Sequence, residues 1–217
     1  MAPTRALFDL NGTLFDPSPM AEPLPREADG ARFVQDVLDD AVLLAAVETI
    51  TGSFRDFAEL LRAAAARHLS AFGEPEMLDA VMEASKRMPP FPEASVAIEA
   101  LRSAGVQVGI LTNSSRDAAC SLLSRAGLEL EPVVGTDDVG AFKPDRRVYE
   151  RGVEATNARP SDVVLVTAHW WDALGAKRAG LRAAWISRNE AVRVKVEPSP
   201  DYEAGDLAEI AGQIAAR

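Results

Sequence analysis

The chain is 217 residues long, room for one large domain or for one domain carrying an insertion. It is 47% hydrophobic and 26% charged, as a soluble globular protein is, and its net charge of −10 disfavours nucleic acid and anionic membrane surfaces as partners. Cys120 is the only cysteine, which excludes an intrachain disulfide and suits a reducing compartment. The N-terminus lacks the basic start and apolar run of a signal peptide, and no 18-residue apolar stretch follows, so the expected location is the cytoplasm. A small anionic substrate stays compatible with the acidic balance, because a local basic residue overrides it.

In chain order, Thr4–Asp9 reads as a strand ending on a carboxylate within LFDLNGTLFD. A proline-rich connection follows, with Pro17, Pro19, Pro23 and Pro25, and it leads into an alanine-rich helical block. The block predicts helices over about Ala31–Thr49, Phe54–Ser70 and Pro75–Arg87, and it closes at Met88-Pro89-Pro90. After it, helical patterns over Ala94–Ala104, Ser115–Ala126, Asp145–Ala155 and Asp172–Ala179 alternate with short apolar runs at Val106–Leu111, Pro132–Gly135, Val163–Ala168 and Ala183–Ser187. Gly105, Gly127 and Gly180 stand just past three of those helices, where glycine ends a helix. Alternating strand and helix predicts a parallel sheet covered on both faces, with its ligand site at the C-terminal strand ends. The helical block between the first strand and the rest reads as an inserted cap, giving a core of 1–16 and 88–217 and a cap of 17–87.

Polar residues gather at those strand ends. Asp9 is followed by Thr13; the second strand runs into Thr112-Asn113-Ser114; Lys143 stands ahead of a helix in Lys143-Pro144-Asp145; and Ala168-His169-Trp170-Trp171-Asp172 follows the fourth strand. Singly, each has an ordinary structural use: Asp9, Thr112 or Asp172 as a cap, Lys143 as a solvated loop lysine. Together at the strand ends of one α/β chain they read as a site.

The set, in its order and spacing, resembles the haloacid dehalogenase superfamily of hydrolases: D-x-x-G-T after strand one, LTNSS after strand two, KPD on the third segment and VTAHWWDALGAKRAG at the fourth. The resemblance spans nearly the whole chain and implies an α/β fold, a Rossmann-like doubly wound parallel sheet carrying an all-helical cap. It also implies that Asp9 is the nucleophile, that Thr13 and Thr112 bind the nucleophile or the anion, and that Lys143 steadies charge.

Two positions separate branches of that superfamily. The phosphatase branch uses a carboxylic acid two residues after the nucleophile to protonate a departing alkoxide, and a carboxylate in the fourth motif to help hold Mg²⁺. Here those places are Asn11 and Ala168. A halide leaves as a stable anion and needs no proton, so both changes suit displacement of halide from carbon without a metal or other cofactor. Tyr149 within KPDRRVY and the Trp171-Asp172 pair make the chain similar to the type II 2-haloacid dehalogenases, and imply a small anionic halogenated substrate and a homodimer.

On that reading Asp9 attacks the halogen-bearing carbon and water then cleaves the aspartyl ester. Lys143 keeps Asp9 ionised, Asp172 anchors Lys143 and helps activate water, and Tyr149 and Thr112 contact the carboxylate of the substrate or ester. Trp171 and Phe57 line an apolar wall, while Asn11, Asn113 and His169 face the substrate. In those dehalogenases tyrosine usually stands at Asn11 and asparagine at His169, so His169 is expected to donate to the halide or carboxylate, to act as a base, or to serve only as a turn residue. They also place an arginine on the first cap helix; the match through residues 52–57 puts Leu38 there, and Arg32 is the nearest candidate. Two other readings stand beside this one: a Mg²⁺-dependent phosphatase acting on a small phosphomonoester, and a degenerate member of the fold that only binds.

Overall fold

The computed structural model describes residues 2–188, 190, 192 and 194–216. Six parallel strands form one sheet in the order β3-β2-β1-β4-β5-β6: β1 Arg5–Phe8, β2 Gln107–Leu111, β3 Val133–Val134, β4 Val163–Thr167, β5 Arg182–Ile186 and β6 Tyr202–Ala204. β1 is central, with Phe8 in register with Ile110 on one side and Val166 on the other. Its C-terminal end therefore lies where the winding reverses, the position at which open α/β sheets bind ligands.

The alternation of the strands splits the core in two. Ala6, Phe8, Ile110, Val164 and Ala184 pack against α4 (Ala94–Ser103), α5 (Arg116–Ala126) and α8 (Leu207–Ala215). Leu7, Leu111, Leu165 and Ala183 pack against α6 (Arg146–Thr156) and α7 (Trp170–Arg178) on the other face. Both faces are covered, as the near-continuous apolar strands require.

Between β1 and β2 lie α1 (Gly30–Thr51), α2 (Phe57–Phe72) and α3 (Leu78–Ser85), with their own apolar cluster. Asp29 and Asp56 cap α1 and α2, each accepting a backbone N–H, and Gly52 and Gly73 end them in the left-handed conformation. Phe142, next to Lys143 in sequence, inserts into this cluster and stacks on Phe54 at 5.0 Å, and its N–H donates to Thr49 Oγ1 at 3.0 Å. The segment that carries Lys143 is thus pinned by the helices inserted between β1 and β2.

The structure differs from the sequence expectations in detail. β6 and α8 extend the fold beyond Ser187; β6 is too short for its period to register, although α8 carries buried Leu207, Ile210, Ala211 and Ile214 at helical spacing. The helix expected over Asp172–Ala179 begins at Trp170, because the Glu190 carboxylate accepts the Trp170 N–H at 3.1 Å and satisfies a first-turn donor from a distance in sequence. Among the described residues no helix is long and apolar enough to cross a membrane.

Candidate active site

β1 delivers Asp9 into a tight turn, its N–H still bonded to Val166 O at 3.0 Å. Gly12 takes φ +78° there, and a Cβ at that position would stand 3.3 Å from the His169 ring, so the turn needs glycine for conformation and for space. Thr13 then folds back: its hydroxyl donates to Asp9 Oδ2 at 2.9 Å and accepts the Ala168 N–H at 2.9 Å. One hydroxyl thereby ties the nucleophile candidate to the end of β4.

Lys143 fills the space between Asp9 and Asp172. Its ammonium donates to Asp9 Oδ1 at 2.8 Å, Asp172 Oδ2 at 2.7 Å and Leu111 O at 3.0 Å, which uses all of its protons. Its backbone N–H donates to Asn113 Oδ1 at 2.8 Å. The Tyr149 hydroxyl donates to the remaining Asp172 oxygen at 2.7 Å. Gly175 in α7 leaves the volume that Tyr149 occupies, since a Cβ there would overlap the phenol oxygen.

Burial opposes every charge in this group, and proximity decides the outcome. For Asp9, burial pushes its pKa up, but Lys143, His169 and Thr13 together hold it below the ordinary 3.8. For Asp172, burial and the neighbouring Asp9 charge outweigh Lys143 and raise it. Burial lowers Lys143, yet its two carboxylate neighbours raise it above the ordinary 10.5. Burial and the Asp172 charge push Tyr149 well above 10.0, so it stays a phenol and a donor.

Asp9 opens onto a cavity of about 40 Å³. Leu38, Val42, Phe57 and Trp171 make an apolar wall, and Asn11, Thr112, Asn113 and His169 bring polar groups to it. His169 stacks on Trp171 at 5.4 Å and donates from Nε2 to the Asn11 carbonyl at 2.9 Å, which leaves Nδ1 as the other ring nitrogen. The same Nε2 lies 3.6 Å from Asp9 Oδ2. Asn113, with its Oδ1 spent on Lys143, makes no bond through Nδ2 to the described residues. A larger hollow of about 1040 Å³, along α5 and the β2–β3 edge, shares none of these residues.

Of the residues singled out by sequence, Asp9, Asn11, Thr112, Asn113, His169, Trp171 and Phe57 line one cavity. The structure corrects the expectations for others. Tyr149 is fully buried on the far side of Asp172 and contacts that carboxylate, not the cavity. Asp172 is likewise buried with both oxygens engaged, so it anchors Lys143 but has no oxygen open to a water. Arg32 points away from the cavity into an exposed pair with Asp36 at 3.4 Å. Leu38 lies at the wall, flanked by Gln35 and Asp39, whose side chains bond to each other at 2.9 Å. Asp39 and Gln35 were missed, although positions 35, 38, 39 and 42 form one helical stripe that marks a shared face.

A divalent cation, implied for the phosphatase branch of this fold, does not fit these residues. Each oxygen of Asp9 and Asp172 already accepts a hydrogen bond, the Lys143 ammonium stands between them, His169 Nε2 holds the Asn11 carbonyl, and Ala168 supplies only a buried methyl. Among the described residues no three His, Cys, Asp or Glu side chains converge as a metal site would need.

Comparison with known proteins shows the family and the fold. The family model described as haloacid dehalogenase-like hydrolase matches residues 5–180. The (S)-2-haloacid dehalogenase of Pseudomonas sp. (strain YL) is 31% identical over 143 residues, covering 65% of this chain and 62% of that protein. An (S)-2-haloacid dehalogenase of Pseudomonas putida is 28% identical over 216 residues, covering 94% of each chain. The solved L-2-haloacid dehalogenase from Xanthobacter autotrophicus superposes with a TM-score of 0.87 at 24% identity over 98% of both chains, a likeness of fold.

Proposed function

The chain belongs to the haloacid dehalogenase-like hydrolases, and from that premise we propose that it hydrolyses the carbon–halogen bond of 2-haloacids through an ester on Asp9, without a metal ion. The observation that carries this reading is Asp9 itself: a buried carboxylate held ionised by Lys143 and Thr13, facing a small cavity with an apolar wall and with Asn11 where an acid would stand.

In the first step an Asp9 oxygen attacks C2 from behind; the O–C2 bond forms as the C2–halogen bond breaks, the halide leaves with the electron pair, and C2 inverts. No proton is required, so Asn11 is sufficient. The apolar wall of Leu38, Val42, Phe57 and Trp171 desolvates the nucleophile and surrounds the departing halide. Asn113 Nδ2 and the Thr112 hydroxyl are the donors suited to the substrate carboxylate.

In the second step water adds to the Asp9 carbonyl carbon and the ester C–O bond breaks, releasing the 2-hydroxyacid and regenerating the carboxylate. Lys143 stabilises the negative charge that develops on the Asp9 oxygen. His169, at the cavity with a second ring nitrogen, is the base for this water, while Asp172 and Tyr149 position Lys143. The core of 1–16 and 88–217, the cap of 17–87 and cytoplasmic location belong to the same reading. So does a homodimer, for which the exposed row Leu43, Val47 and Ile50 on α1 is a surface to cover.

The test is halide release from 2-chloro- and 2-bromopropionate with and without EDTA. Turnover that resists EDTA and is lost in Asp9→Asn is expected. Release of phosphate from phosphomonoesters on adding Mg²⁺, with no halide release, would replace this reading by a phosphatase; binding of haloacids with neither turnover would leave a binding protein.

A further inference from the structure

A second cavity, of about 390 Å³, shares two lining residues with the first, Asn11 and Phe57. It runs between α2 of the cap and α5 of the core. Its volume lies in the range that holds small organic molecules, which the space beside Asp9 does not. Phe57, Leu61, Met88 and Leu122 give it a buried apolar lining.

Much of the polar lining is already engaged. The Asp56 carboxylate caps α2 through the Ala58 N–H, Lys86 pairs with Glu83, and the hydroxyls of Ser85 and Ser121 bond to carbonyls of their own helices. What the cleft chiefly offers is apolar contact. Between the two cavities the Asn11 side chain makes one long hydrogen bond, Nδ2 to Ser114 Oγ at 3.3 Å, while its backbone carbonyl is held by His169, so the side chain is the part of this wall that can turn aside.

We propose that this cleft is a subsite for the C2 substituent of the substrate, and that the preferred substrates are 2-haloacids bearing an alkyl chain of several carbons or an aryl group. The proposal rests on the dehalogenase reading for its chemistry and, for its geometry, on Asn11 and Phe57 being walls of both cavities. With C2 held at Asp9, the substituent that is neither carboxylate nor halogen would displace the Asn11 side chain and extend along Phe57 into the cleft. A methyl group leaves the cleft unused. Each methylene fully buried raises affinity about fourfold, so even partial burial of a hexyl chain exceeds about tenfold.

The experiment compares 2-bromooctanoate with 2-bromopropionate in halide release, for the wild type and for Ala118→Trp, which places an indole in the cleft from an exposed position on α5. The expected result is a kcat/KM at least about tenfold higher for the octanoate, reduced to parity in Ala118→Trp while the propionate rate is unchanged. Equal rates in the wild type, or a chain preference untouched by Ala118→Trp, overturns the subsite. Calorimetry with the products 2-hydroxyoctanoate and lactate reads the cleft without turnover, and the same preference and the same loss are expected. Product preference without halide release from either acid would reject the dehalogenase reading and keep the subsite; halide release without any preference would reject the subsite alone.

Discussion

Lys143 Nζ donates to Asp172 Oδ2 at 2.7 Å, with both side chains fully shielded from solvent. A lysine buried this way is stable only as long as its acceptors stay, and the two carboxylates are tolerable only as long as the lysine does. The expected outcome of Lys143→Met is a loss of about 3–5 kcal/mol in stability, because two buried carboxylates lose their counter-ion. Halide release should fall by at least about a hundredfold. Thermal or urea unfolding and halide assays check the two effects separately.

Asp9 is depressed and Lys143 raised, so their charged forms coexist over a wide range. Activity should plateau, falling on the acid side only below the ordinary carboxylate value of 3.8 and on the alkaline side only above the ordinary lysine value of 10.5, as far as these groups set it. Stability has matching signs. The Asp9 contribution is present above 3.8 and lost as pH drops through its lowered folded value; that of Lys143 is present below 10.5 and lost as pH rises through its raised one. Asp172, being raised, runs opposite to Asp9: its contribution is full below 3.8 and fades as pH climbs through its folded value. A kcat/KM profile with a bell confined near neutrality would contradict the Asp9–Lys143 assignment.

His169→Gln retains a donor for the Asn11 carbonyl but removes the ring nitrogen assigned to the water. Ester formation should continue while ester hydrolysis slows by about a hundredfold or more. Intact-mass analysis after mixing with 2-bromopropionate should then show the protein carrying a 1-carboxyethyl group as an ester on Asp9. An unmodified mass together with normal turnover would remove His169 from the chemistry.

Tyr149→Phe tests positioning apart from substrate contact. Asp172 loses one donor in a dry site, a cost of about 1–3 kcal/mol in stability. KM should stay within about twofold, because Tyr149 does not reach the cavity, and kcat should carry any loss. A KM rise with unchanged stability would restore the role expected from sequence.

Asp39 puts a carboxylate at a cavity proposed to take an anion, and Arg32 stands outside it. Asp39→Asn should lower KM for 2-bromopropionate by about threefold to tenfold, the size of one partly screened charge interaction. Arg32→Ala should leave kcat/KM within about twofold. Steady-state kinetics on the two variants decides which residue of α1 the substrate meets.

The layer order, the helical segment between β1 and β2 and most of the residues beside Asp9 were legible in the amino-acid order. Strand period, glycine stops and polar strand ends are local signals, and a parallel sheet brings strand ends together whatever the side chains are. Asn11 and Ala168 bear on the reaction as sequence alone, since a residue without a titrating carboxyl cannot supply a proton or a charge. Direction of side chains was not legible. Tyr149 and Asp172 face the interior because Gly175 opens a space for the phenol and Lys143 draws the carboxylate inward; Arg32 turns outward to Asp36, and exposed Asp39 lies at the edge of the cavity. Those choices depend on contacts between residues distant in sequence, and so does the cleft between α2 and α5, which exists only where those two helices pack together. The sequence by itself determined which chemical groups are present and at which strand ends; only packing decided which of them line the cavity beside Asp9, because burial energies belong to neighbours in space.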